Sequence, residues 1–137
     1  MRIVVGFLRS AEGQAALERA IDEARRSDGE LLVIHSMRGG TRDELDEVMT
    51  YREEFERVTE RLDADGVTYR IVEYARGHSP AQDLVDAAAE HDADLIVIGV
   101  RRRSPVGKLV LGSNAQEIIL QADCAVLAVK PKTAGDE

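Results

Sequence analysis

The stretch richest in potential chemistry runs Gly99-Val100-Arg101-Arg102-Arg103-Ser104-Pro105-Val106-Gly107-Lys108-Leu109-Val110-Leu111-Gly112-Ser113-Asn114. Arg101, Arg102, Arg103 and Lys108 place positive charge, with no acidic residue, between Gly99 and Gly112 of a chain whose formal net charge is −8. Gly112 lets a ligand approach the backbone, and Ser113 with Gln116 matches the capping box that opens a helix. A helix start offers unbonded amides and the positive end of a dipole to an anion, so the segment reads as a phosphate cradle. A solvated arginine turn that balances an acidic surface is the other reading of the same residues.

Other phosphate and acid-base chemistries fail on spacing. Gly6-Phe7-Leu8-Arg9-Ser10, after the first apolar run, lacks the glycine triplet of a dinucleotide-binding turn. Gly107-Lys108 has Arg102 where a Walker A loop needs glycine, and Leu109 where it needs Ser or Thr. No acid precedes Glu12 to hold magnesium beyond the first strand, which speaks against receiver-type phosphorylation and metal-dependent phosphoryl transfer. His35, His78 and His91 fall at a strand end, a loop before a helix and a helix end, with no metal-ligand spacing among them. His35 reads as a packing or hydrogen-bonding residue. Ser10, Ser36, Ser104 and Ser113 lack a nucleophile elbow, and Cys124, the sole cysteine, reads as a small buried hydrophobe. No catalytic residue and no metal ligand is nominated.

The elements that must position the loop follow from patterning. Short β-branched runs at Ile3 to Phe7, Leu31 to Ile34, Val67 to Val72, Leu95 to Ile98 and Ala125 to Val129 alternate with segments of helical period, the pattern of a parallel α/β sheet. Leu17, Ala20, Ile21 and Ala24 make one helical stripe, and Leu45, Val48, Met49, Phe55, Val58 and Leu62 another. Thr41 with Glu44 and Ser79 with Gln82 also match the capping box, and Pro80 suits a first helical turn. The first, second and fourth strands are continuously apolar and belong in the middle of the sheet, whereas Val67, Tyr69 and Ile71 alternate with polar residues as at an edge. The last strand is apolar without the charges that protect an edge, so either a second copy of the chain or neighbouring helices cover it.

Size and composition agree with this. A chain of 137 residues suits one domain over 1–132, followed by a frayed acidic tail at 133–137. Eighteen Lys plus Arg against 26 Asp plus Glu is the opposite of what nucleic-acid binding needs. With 44% hydrophobic and 32% charged residues, no secretory order at the start and no apolar stretch of bilayer length, the expectation is a soluble cytoplasmic protein with no membrane partner.

A resemblance then makes the reading specific. Val97-Ile98-Gly99, a loop, Gly112-Ser113 opening a helix, and Ala122-Asp123-Cys124-Ala125-Val126-Leu127-Ala128-Val129-Lys130-Pro131 resemble the carboxyl-terminal signature of the universal stress protein family. The likeness extends over nearly the whole chain through Ile3 to Gly6 with its Ser-initiated helix, His35 at the second strand's end, and Ser79-Pro80-Ala81 before the third helix. It implies a three-layer, Rossmann-like (adenine nucleotide alpha hydrolase-like) sandwich with a five-stranded parallel sheet of order 3-2-1-4-5. It also implies a stress-response homodimer through Ala125, Val126, Leu127, Ala128 and Val129, with ATP or AMP at the switch point between strands 1 and 4 and at most slow ATP hydrolysis. On this reading Gly112, Ser113 and Asn114 hold phosphate and Arg101, Arg102 and Arg103 supply charge. Gly6, Phe7, Leu8, Ser36 and Ile98 then form the base pocket, with Gly99 and Gly107 in the connecting loop.

The family's nucleotide motif is Gly, two residues, Gly, nine residues, Gly, then Ser or Thr. Gly99, Gly112 and Ser113 match it, but Arg102 stands at the second glycine, where it either blocks the phosphates or reaches them with its guanidinium. Leu8 occupies the position of an aspartate in ATP-binding members, and Ser36 that of a small apolar residue. These departures keep a second reading open, a nucleotide-free regulatory or protein-interaction dimer whose arginine loop meets an acidic partner.

Overall fold

The apolar runs form strands and the periodic segments form helices, in strict alternation. In the computed structural model, which describes 1–8, 10–36, 41–75, 77–100 and 111–131, with 41–51 as backbone only, the order is β1 (Arg2–Gly6), α1 (Ala11–Ser27), β2 (Glu30–Ser36), α2 (Thr41–Ala64), β3 (Thr68–Tyr74), α3 (Pro80–Glu90), β4 (Leu95–Gly99), α4 (Ser113–Gln121) and β5 (Ala125–Val129). All neighbouring strands are parallel in one sheet of order β3-β2-β1-β4-β5. The expected order and the interior places of β1, β2 and β4 are those observed.

The sheet separates two cores, because successive side chains of each central strand point to opposite faces. Ile3, Val5, Leu31, Val33 and Val97 pack with Leu17, Ala20, Ile21 and Ala24 of α1, joined by Leu62, Phe55 and Val58 of α2. Val4, Leu32, Ile34, Ile96 and Ile98 pack on the other face with Leu84, Ala87 and Ala88 of α3 and Ala115 and Ile118 of α4. Burying one such Ile, Leu or Val contributes about 1.5–3 kcal/mol, so the three layers are held mainly by these stripes. The side chains of Leu45, Val48 and Met49 lie outside the described residues.

The helices run back against the strands, so the starts of α1, α3 and α4 emerge at the strands' carboxyl ends. Ser10 caps α1 by accepting from the Gly13 N–H at 3.2 Å, and Ser79 caps α3 by accepting from the Gln82 N–H at 3.1 Å. The expected cap at Ser113 is displaced by one residue. Gly112 is the cap, extended at φ −67° and ψ 165° with no side-chain cap bond, and its carbonyl accepts from the Gln116 N–H. Ser113 thus lies inside the helix, and the Gln116 side chain donates to the Leu111 carbonyl at 2.9 Å instead of closing a capping box. Thr41 is likewise already helical.

β3 has its polar side exposed as the alternation indicates. At the other edge the neighbouring helices do not hide β5: Val126, Leu127 and Val129 are half-buried, while Ala125 and Ala128 are exposed. Among the described residues no helix is long and apolar enough to cross a membrane.

Candidate functional site

A crevice opens where β1, the middle strand, turns to α1 on one side while its neighbour β4 leads toward α4 on the other. In open parallel sheets this reversal beyond the strands' carboxyl ends is where ligands bind. The crevice holds a cavity of about 110 Å³ and brings together Gly6, Leu8, Ile98, Gly99 and Asn114. An adjoining recess of about 40 Å³ shares Gly6 and Leu8 and adds Phe7 and Ser36. Of the residues proposed from sequence, these seven line one continuous depression. Gly112 and Ser113 stand next to Asn114 at the start of α4. Arg101, Arg102, Arg103 and Gly107 lie outside the described residues.

Sequence reasoning missed the walls. Gly13 and Ala16 of α1, Pro80, Ala81 and Leu84 of α3, and Ala115 and Ile118 of α4 complete the lining. The signal available was a small residue on the inner side of each helix start, Gly13 and Ala16 in α1, Ala81 in α3 and Ala115 in α4, which lets the three helices converge on the strand ends. Their convergence brings three helix N-termini, one from one face of the sheet and two from the other, to the carboxyl end of the strands, and each carries unbonded amides and partial positive charge favourable to an anion.

The glycines divide by physical role. A Cβ on Gly99 would fall within 3.0 Å of the carbonyl oxygen, carbonyl carbon and Cβ of Glu12, so Gly99 is where α1 packs directly on the end of β4. Among the described residues, a Cβ on Gly112 would meet nothing within 4 Å. None of them therefore imposes a packing demand on Gly112, which lies beside the α4 amides.

The remaining polar groups near the crevice have structural partners. His35 is buried, with Phe7 at 5.8 Å and Phe55 at 5.0 Å between ring centroids, both edge-on. That is the packing role expected from its strand-end position. Ser36 donates its hydroxyl hydrogen to Asp83 Oδ2, tying the end of β2 to α3. Cys124 packs against the α3 and α4 core but is only half-buried, not buried as expected, and desolvation pushes its thiol above the ordinary range, unlike a reactive thiolate.

The architecture and the crevice have counterparts in known proteins. A model of the universal stress protein family matches residues 1–130. The chain belongs to this family. A universal stress protein of Mycolicibacterium smegmatis is 41% identical over 129 residues, which cover 94% of this chain and 97% of that one. The structure of a universal stress protein from Archaeoglobus fulgidus superposes with a TM-score of 0.79 at 36% identity, covering 95% of this chain and 98% of the other. A universal stress protein from the same organism, solved in complex with dAMP, gives a TM-score of 0.74 at 31% identity over 95% and 98% of the two chains. The universal stress protein fold expected from Val97-Ile98-Gly99 and Gly112-Ser113 is thus the fold observed.

Proposed function

We propose that this chain is a cytoplasmic stress-response homodimer that binds an adenine nucleotide, ATP or AMP, in the crevice between β1 and β4. The observation that carries the reading is the convergence of three helix starts on a crevice lined by Gly6, Gly99 and Asn114, with Gly112 open beside it. The residues fit the ligand. The recess of Gly6, Phe7, Leu8 and Ser36 offers apolar walls and one hydroxyl to a base, Ile98 flanks it from β4, and the amides of Gly112, Ser113 and Asn114 suit phosphate. The relative solved in complex with dAMP supports the ligand class.

Arg101, Arg102, Arg103 and Gly107 belong in sequence to the connection between Gly99, which lines the crevice, and Gly112, two residues before Asn114, and it is their charge that recommends the arginines for phosphate. Leu8, half exposed at 50%, covers the base side where other members carry an aspartate. Dimerisation through Ala125, Val126, Leu127, Ala128 and Val129 is supported by the apolar edge of β5 and by Ile119 and Leu120 of α4, which are exposed at 45% and 82%.

Native mass spectrometry of gently purified protein tests both parts together. A dimer carrying one adenine-nucleotide mass per chain is the expected result. An empty dimer that also ignores added ATP and AMP would instead favour the nucleotide-free regulatory reading, to which Arg102 and Leu8 lend weight.

A further inference from the structure

Three groups that the nucleotide reading does not use meet at the start of α3. His78, in the loop before the helix, and Asp83 and Asp86, about one turn apart on it, bring one ligand-capable atom each to within 4.8 Å of the others. His78 Nδ1 stands 3.9 Å from Asp86 Oδ2. Asp83 is fully buried at 0% exposure; its Oδ2 accepts from the Ser36 hydroxyl, while its Oδ1 is buried with no hydrogen-bond partner. Asp86 Oδ1 accepts from Gln82 Nε2 at 2.8 Å.

A carboxylate removed from water normally has its oxygens satisfied, and one left orphaned is costly unless a cation or donor meets it. Asp83 is the exception among the buried residues of α3, whose other members are apolar. Each of the two carboxylates has one oxygen anchored by a neutral donor, Ser36 for Asp83 and Gln82 for Asp86. Outer hydrogen bonds of this kind orient carboxylates toward a metal.

We propose that His78, Asp83 and Asp86 bind a divalent transition-metal ion of the Zn²⁺ class. One imidazole nitrogen with two carboxylate oxygens suits Zn²⁺ better than Mg²⁺ or Ca²⁺, which prefer oxygen alone. Three protein ligands leave the fourth tetrahedral position to water or an outside ligand. Bonds of about 2.0–2.2 Å space tetrahedral ligand atoms about 3.4 Å apart, so the cluster must close by up to about 1.4 Å. The His78 side chain, 49% exposed and in a loop, can supply that movement. Ser36 also lines the base recess of the crevice, so the ion would sit behind the proposed nucleotide pocket without depending on it.

The test is calorimetric titration of Zn²⁺ into the full, chelator-treated chain without nucleotide. One Zn²⁺ per chain is expected, with His78→Ala and Asp86→Asn each weakening binding at least about ten-fold. Both substitutions are at incompletely buried positions, so thermal melting should show the fold retained, and Cys124→Ser should leave the affinity unchanged. Absence of saturable Zn²⁺ binding, or affinities unaltered in both His78→Ala and Asp86→Asn, would overturn the proposal.

Discussion

Gly99→Ala is expected to remove about 3 kcal/mol of folding stability, near the upper end of ordinary overpacking costs and a large share of the roughly 5–15 kcal/mol that a domain of this kind possesses. The added methyl would overlap the backbone of Glu12 in the first turn of α1, and backbone cannot rotate aside as a flexible side chain can. Relief therefore requires α1 to move off the sheet, which loosens Ala16, Leu17 and Ala20 from the core they share with Val5 and Val97. Urea unfolding measures the effect, with a melting temperature lower by roughly 10 °C as its thermal counterpart. A Gly99→Ala chain of unchanged stability would show that α1 does not approach β4 so closely. The glycine that the family motif assigns to the ligand loop is, on this view, first a packing glycine.

Gly112→Leu is expected to do the opposite. No described residue would meet the new side chain within 4 Å of its Cβ, and φ is an ordinary negative value, so the fold should lose only about 1 kcal/mol through a poorer helix cap. The leucine side chain would instead occupy the space beside the α4 amides and exclude phosphate from them. Adenine-nucleotide affinity should fall at least ten-fold, about 1.4 kcal/mol or more, with most of the loss in the phosphate contacts. Isothermal titration of AMP and ATP against native and Gly112→Leu chains gives the comparison. Equal affinities in a folded variant would remove the start of α4 from the site. Together the two substitutions separate a glycine needed for packing from a glycine needed for access.

The sheet was legible because its central strands are apolar on both faces and the edge strand β3 alternates, a pattern that depends only on which faces helices cover. The cap at Ser79 is legible because a capping hydroxyl acts within three residues of chain, whereas the serine start of α1 follows only from the family resemblance. Ser113 was assigned one position too early in role, since a serine next to a glycine leaves the local pattern ambiguous and backbone geometry chooses between them. The strand-end residues Gly6, Leu8, Ser36 and Gly99 were placed in one site from motif and topology together. The walls from Gly13, Ala16, Ala81 and Leu84 were not, because they depend on how closely α1 and α3 approach the sheet. Asp83 was equally hidden. Its neighbours Leu84 and Ala87 mark the buried stripe, but no rule of spacing says that a carboxylate beside them will be buried with Ser36, 47 residues away, as its partner.

The most direct test of the nucleotide site is a ¹H–¹⁵N correlation spectrum recorded during titration with AMP, because each amide around the crevice reports separately. Saturable shifts concentrated at Gly6, Leu8, Ser36, Gly99, Gly112, Ser113 and Asn114 are the expected result. Shifts confined to other surfaces, or no shifts at these amides with AMP in large excess, would contradict nucleotide binding between β1 and β4.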